Sequence, residues 1–472
     1  MKKTIIRIVC FFLLLGSVLY GVNKVFKVKY ADGIYSMTKF YELDKNSVDV
    51  LLLGSSHCFE NFNTGTLWDE FGMASYILGG SFQPLWNTYY YLKEALKTQT
   101  PKVIVLEGYM TKMEDEYMDD SRIIKNNYGM RMSLDKLKSI RESVPKERLS
   151  EFMLGYEQYH TRYTELSAGD FMANQRYTLY DDWKGLGLNM ATTPLETIDV
   201  SSIEERRELE AKTEKYYRMI IELAQSHDIP IVVVVSPYAG ITEERMMQFN
   251  RAYDIAGEYG VPFINYNLSI SDMGLDFLTD AADPAHLNYK GNQKFTAYFG
   301  KWLDNQYDIP DRRGQKKYES WQRNADYIRE MISNQLVTEN FNLSNMAIRL
   351  CDDSYWVIVS VDRGYNSNNP DIALFLNDLG IPYDNAEGIW LRENNGLIWS
   401  SGNEDAIQYL RSKYHDFELV RFEEDESYVN QIIMDRDIMK IIDDGINVFV
   451  FDTHTEVPVD LFGIDSEGNI IR

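Results

Sequence analysis

The sequence predicts an α/β domain on a parallel sheet, preceded by a membrane-spanning segment and followed by a separate α+β domain. Three observations carry that expectation. An uncharged apolar stretch lies near the N-terminus, short apolar runs alternate with amphipathic stretches from Val48 to about Gly300, and the texture changes from about Leu336. The 472-residue length accommodates two domains, and 44% hydrophobic with 13% aromatic residues suits packed cores and argues against disorder. The 33 tyrosines suit either half-buried core positions or carbohydrate-facing surfaces, since each ring joins an apolar face to a polar tip.

Residues 1–30 contain six Lys or Arg and no acid, and residues 8–22 carry no charge. With Ile5 and Ile6 the run approaches the length needed to cross a bilayer, and Arg7 can reach the interface along its stem. A short basic leader before an apolar run reads as a secretory signal or a signal-anchor. No small-x-small cleavage site follows, so an uncleaved single-pass anchor is expected, with the remaining chain outside the cytoplasm. Val9 precedes Cys10 and the apolar run follows it, which excludes lipid attachment there. Setting those six basic residues aside leaves 42 basic against 72 acidic side chains, a net charge near −30. Such a surface repels nucleic acid. Cys58 and Cys351 fall in different expected domains, so no disulfide framework is expected. The six histidines are dispersed, and neither HExxH nor paired-cysteine spacing appears, so no metal centre is expected.

The α/β domain is expected over residues 45–335. "VDVLLLG" reads as a buried strand followed by a helix-like segment through Trp68; "ASYIL" is a second strand. "PLWNTYYYLKEALK" has helical spacing with Pro84 at its first turn, and "KVIVLEG" is a third strand. Residues 110–200 read as a long irregular insertion. Ser201, with a glutamate three residues on, opens the next helix as a capping box. "IPIVVVVSP", "EERMMQFNRAYDIAGEYG" and "VPFINY" complete the alternation as strand, helix and strand. In such sheets active sites gather beyond the carboxyl ends of the strands, where Gly54-Ser55-Ser56-His57 lies. Past "PDRRGQKKYESW" a helix runs to about Gln335, and residues 336–472, with "YWVIVSVD" and "GINVFVFD", form the second domain.

A nucleophilic serine needs a base within hydrogen-bond reach and a carboxylate to fix that base's tautomer. "DAADPAHLNYKGNQKF" supplies Asp283 and His286 three residues apart on one loop before an amphipathic helix, with Asn288 and Gly291 shaping the turn. His286 would take the proton from Ser56 and return it to the leaving group. His57 beside the nucleophile either faces the cleft or turns away from it, and Cys58 reads as a small core residue.

The order "GSSH" … "DPAHLNYKG" resembles the SGNH hydrolases, and more closely their DltD-like cell-surface branch, which includes polysaccharide O-acetylation proteins. The resemblance covers residues 45–335 and implies a flavodoxin-like three-layer sandwich with Ser56, His286 and Asp283 as the triad and no cofactor. It implies an oxyanion hole from the Ser56 backbone N–H with Gly79 or Gly80 of "ILGGSFQP"; a register using Ser81-Phe82 stays open. The family's Gly-x-Asn block is replaced by Glu107-Gly108-Tyr109, which removes a donor worth about 10²–10³ in rate. Members of the cell-surface branch often lack that asparagine. The implied activity is a serine esterase or O-acyltransferase acting on cell-surface polysaccharide or teichoic-acid-like polymer, with a membrane-bound O-acyltransferase as partner. The competing expectation is a non-catalytic surface glycan-binding or assembly protein on the same scaffold. The C-terminal region loosely resembles an interleukin-like EMT inducer domain, which implies ligand binding, including carbohydrate. Trp356, Trp390 and Trp399 are either its stacking platforms or core, and His415 and His454 read as structural.

Overall fold

The computed structural model describes residues 2–26, 32–154, 162–164, 166, 171, 183–394, 396–424 and 427–472. Two compact units meet in sequence at Ile328/Arg329, inside the helix Glu319–Thr338. Sequence texture puts that division slightly later, at 335/336. The helix carries no composition break where its packing partners change: Trp321 and Ala325 join the first unit's core, Val337 the second's.

The first helix, α1 (Lys2–Phe26), includes the 20-residue stretch Lys3–Val22, with mean hydropathy 2.3, long and apolar enough to span a bilayer. None of that stretch is buried against the other described residues. Helix α2 (Asp32–Phe40) leads to β1 (Val50–Gly54), then α3 (Ser56–Asn61), α4 (Thr64–Phe71), β2 (Ser75–Gly79), α5 (Leu85–Ala95) and β3 (Val103–Glu107). Three helices follow, α6 (Asp120–Asn127), α7 (Leu134–Ser143) and α8 (Leu149–Leu154). After them come α9 (Ala211–Ser226), β4 (Ile231–Val235), α10 (Glu243–Glu258), β5 (Phe263–Asn265), α11 (Phe277–Asp280) and α12 (Tyr289–Gln306).

The five strands form one parallel sheet in the order β2-β1-β3-β4-β5. Strands β1 to β4 are buried throughout because helices cover both faces, which is why they read as unbroken apolar runs. Alternate residues face opposite sides. Leu51, Leu53, Ile104 and Val233 pack with Trp86, Tyr91, Tyr217 and Ile255 on one side. Val50, Leu52, Val105 and Val234 pack with Phe62, Leu67, Phe295 and Phe299 on the other.

Two local expectations differ from the structure. Helix α9 begins at Ala211, not at Ser201, and its first N–H groups are capped by the Glu210 carboxylate. The segment before it cannot coil, because Asn250 of α10 donates to the Ile203 and Glu205 carbonyls and Arg207 N–H donates to Met247. The expected irregular insertion is helical over α6 to α8, whose six to ten residues are too few to show a period. Its residues 155–161, 165, 167–170 and 172–182 lie outside the described residues.

The second unit holds two antiparallel sheets. Strands β6 (Tyr355–Val361), β7 (Gly388–Glu393), β8 (Gly396–Ser400), β13 (Ile446–Asp452), β14 (Val457–Ile464) and β15 (Ile470–Ile471) form the larger. Strands β9 (Ala406–Arg411), β10 (Asp416–Glu424), β11 (Ser427–Met434) and β12 (Asp437–Ile438) form the smaller. Helices Leu343–Leu350 and Pro370–Asp378 join the larger sheet in one core, and Ile358, Leu391, Phe417, Ile432 and Phe449 make a second. Trp356, Trp390 and Trp399 are partly buried against these cores. His415 and His454 have carboxylate partners after all, Asp435 at 2.6 Å and Glu330 at 3.1 Å, which their sequence separation hid.

Candidate active site

The site grows from the end of β1. Gly54 lets the strand finish against β3: a Cβ there would lie 2.8 Å from the Glu107 Cβ and 2.9 Å from that of Cys58. Ser55 is extended, and its carbonyl accepts the N–H groups of Cys58 and Phe59. Ser56 therefore opens α3 at the carboxyl end of the sheet, with 9% of its surface exposed.

His286 arrives on a loop pinned at both ends. Ala281 and Leu287 form an antiparallel bridge, Ala282 N–H donates to the His286 carbonyl, and Gly240 N–H donates to the Pro284 carbonyl. Asp283 accepts from the N–H groups of Ala285 and His286, which turns its carboxylate toward the ring. His286 Nδ1 lies 3.0 and 2.9 Å from the two Asp283 oxygens, and Nε2 lies 2.8 Å from Ser56 Oγ. A carboxylate only accepts, so Nδ1 carries the proton and Nε2 is free to accept from the serine hydroxyl. Asn288 caps α12 through Lys290 and Gly291, and a Cβ at Gly291 would meet the Asp280 carbonyl at 2.3 Å.

Asn61, which the sequence did not single out, links these parts. Its carbonyl oxygen accepts from Leu287 N–H at 2.9 Å and its amide donates to Ser236 Oγ at 2.9 Å, fully buried. The serine helix, the histidine loop and the end of β4 are thus tied by one side chain.

His57 turns inward. It is fully buried, stacks on Tyr109 with ring centroids 3.3 Å apart, meets Tyr238 edge-on at 4.9 Å and lies 5.2 Å from the His286 ring. Neither of its nitrogens has a hydrogen-bond partner among the described residues. Burial, then the charges of His286 and Lys112, hold its pKa well below the usual histidine range, so the ring is neutral. Glu107, standing where the resemblance expects a glycine, is fully buried, and desolvation pushes its carboxyl up to about 8. It accepts from Tyr109 N–H and from Ser236. Cys58 belongs to the core beside Phe62, and burial raises its thiol pKa well above the usual value.

Gly79 pairs with Gly54 at the end of β2, and a Cβ on it would approach the carbonyls of Gly54 and Ser55 to 2.9 and 3.3 Å. The strand end therefore sits directly beside the serine turn. Gly80 follows, packed so closely that a Cβ would meet the Asn126 side chain at 2.3 Å. The alternative register is engaged elsewhere: Ser81 N–H and Oγ–H both donate to Asp32, and the Phe82 ring lies under Arg122.

A cavity of about 860 Å³ borders the site, with Gly79, Phe59, Glu60, Trp183, Asn189 and Met190 among its lining residues. Glu60 stands one helical turn after Ser56, so the two share a face of α3, and its Oε1 lies 3.9 Å from His286 Nε2. Asn189 donates to the other oxygen at 2.9 Å. Burial raises the Glu60 pKa. The i, i+4 spacing in "SHCFE" was the only sequence signal for it. No family model matches this chain, and no curated protein sequence matches it.

Proposed function

We propose that this protein is a membrane-anchored, extracytoplasmic serine esterase or O-acyltransferase of SGNH type, acting on cell-surface polysaccharide or teichoic-acid-like polymer. The observation that carries the reading is the continuous Asp283–His286–Ser56 relay, with links of 2.9 and 2.8 Å, the second joining residues 230 positions apart. The strand order β2-β1-β3-β4-β5 is that of flavodoxin-like sheets, which supports the same class.

In the first half-reaction Ser56 Oγ attacks the acyl carbonyl carbon while its proton passes to His286 Nε2. Asp283 stabilises the imidazolium and holds its orientation. Negative charge develops on the carbonyl oxygen, facing the Ser56 N–H and a glycine N–H from Gly79 or Gly80. Collapse expels the leaving group, which takes the proton from His286, and leaves the acyl group on Ser56. Water or a polymer hydroxyl then attacks with His286 again as base.

The exposed apolar helix α1 supports attachment to a membrane, where a polytopic O-acyltransferase would hand over acyl groups. A surface glycan-binding or assembly role without catalysis draws on Glu107-Gly108-Tyr109, which supplies no asparagine donor. A fluorophosphonate probe on the full chain in detergent separates the two. Labelling of the wild type that is abolished in Ser56→Ala, and slowed about 10⁴-fold or more in His286→Ala, is the expected result. A wild type that never labels removes the enzyme reading.

A further inference from the structure

We propose that Glu60 reads a second hydroxyl of the acyl acceptor, so that the acyl-enzyme is transferred preferentially to vicinal diols, as found in sugars and polyols. The inference rests on the serine-acyltransferase reading above and assigns its acceptor chemistry.

The argument starts from spacing. Glu60 Oε1 and His286 Nε2 are 3.9 Å apart, too far for a hydrogen bond to each other. Both can accept a hydrogen bond; His286 Nε2 lies 2.8 Å from Ser56 Oγ, where the acyl group is held, and Glu60 follows Ser56 by one turn of α3. A single hydroxyl has one proton and cannot donate to both. Two hydroxyls on neighbouring carbons can, one to each. Asn189 fixes the far oxygen of Glu60, leaving Oε1 turned toward the imidazole. The side chain is largely withdrawn from solvent, with 17% exposed, so water competes poorly for the remaining lone pairs. Glu60 also lines the large cavity, where Phe59 and Trp183 offer apolar surface for a ring's carbon face and Asn189 a further polar group. That space is far larger than an incoming water requires.

The transfer step then balances as follows. The hydroxyl nearest His286 gives its proton to Nε2 as its oxygen bonds to the acyl carbon. The acyl carbon–Oγ bond of Ser56 breaks, and Nε2–H returns the proton to Oγ. The product is the acceptor's ester and free enzyme. The neighbouring hydroxyl donates to Glu60 throughout and is unchanged. Water in the same position yields the free acid, but makes no contact that depends on a second hydroxyl.

The test uses the full chain in detergent, acetylated from p-nitrophenyl acetate, with acetyl partition measured between water and added alcohol. Wild type is expected to favour 1,2-propanediol over 1,3-propanediol by about tenfold, the worth of one well-made hydrogen bond. Glu60→Gln should bring that ratio close to one. A merely structural role would lower transfer to both diols together and leave the ratio intact. Wild type treating the two diols alike overturns the proposal without any variant having to fold, and so does a preference that survives in Glu60→Gln. If no Ser56-dependent acetyl transfer or hydrolysis occurs at all, the serine reading fails and this inference falls with it. A Ser56-dependent enzyme blind to diol geometry overturns the inference alone.

Discussion

Glu107 shows how one residue departs from a resemblance and still shapes the site. Its carboxyl is fully buried between Tyr109 and Ser236, with folded pKa raised to about 8 from 4.5. The folded state therefore keeps a proton that the unfolded chain releases. Stability from this group is fully present below pH 4.5, declines through that interval at about 1.4 kcal/mol per pH unit, and is lost above pH 8. Glu107→Gln retains an acceptor for Tyr109 and Ser236 and carries no charge. Denaturant midpoints are expected to show the variant matching wild type near pH 5 and exceeding it at pH 9; a variant weaker at both would show that the carboxylate is required. His57 sits in the same group of side chains, its neutral ring 5.2 Å from that of His286. The sequence could name Ser56, Asp283 and His286 through their joint placement, a serine closing the first strand and an Asp-x-x-His before the last helix of an α/β stretch, although each piece alone is common. Glu60 and Asn61 are ordinary residues of a short helix until folding brings His286 and Leu287 to them.

Elements place Ser56, His286 and Asp283 through close backbone contact. The loop that carries Asp283 and His286 ends where α12 begins, and that junction depends on Gly291. The Asp280 carbonyl that a Cβ would strike is the same one that accepts Asn288 N–H. Gly291→Ala forces backbone apart at this point, with an expected loss of about 1–3 kcal/mol in stability. Fluorophosphonate labelling should slow more than this loss alone explains, because the loop's spacing to Ser56 changes; an unchanged labelling rate would count against that coupling. That Asn288 shapes the turn into the helix was legible in "HLNYKG"; the structure makes it the cap, its side chain accepting from Lys290 and Gly291 N–H. The start of α9 was not legible. Ser201 and Glu204 satisfy the same local pattern, yet Asn250, nearly fifty residues on, captures the carbonyls that a helix there would need.

For the whole molecule, α1 is expected to decide where the protein resides. Phe11, Phe12, Leu13 and Leu14 each expose 60–66% of their surface, and among the described residues nothing covers that stretch. Full-length protein should sediment with membranes and need detergent for release, while residues 31–472 should remain in the soluble fraction; a soluble full-length chain would sink the anchor. The sequence by itself determined this apolar helix, the parallel α/β character of the first unit and the identity of the Ser56, Asp283 and His286 groups. Hydrophobic period and run length are local properties, and burial on both sheet faces writes them directly into the strands. Only the tertiary structure decided that Ser56 and His286 meet at 2.8 Å, that His57 turns inward onto Tyr109, and that Glu60 faces the histidine across a gap. Those distances depend on where a parallel sheet ends its strands in space, and residues far apart along the chain carry no local mark of that meeting.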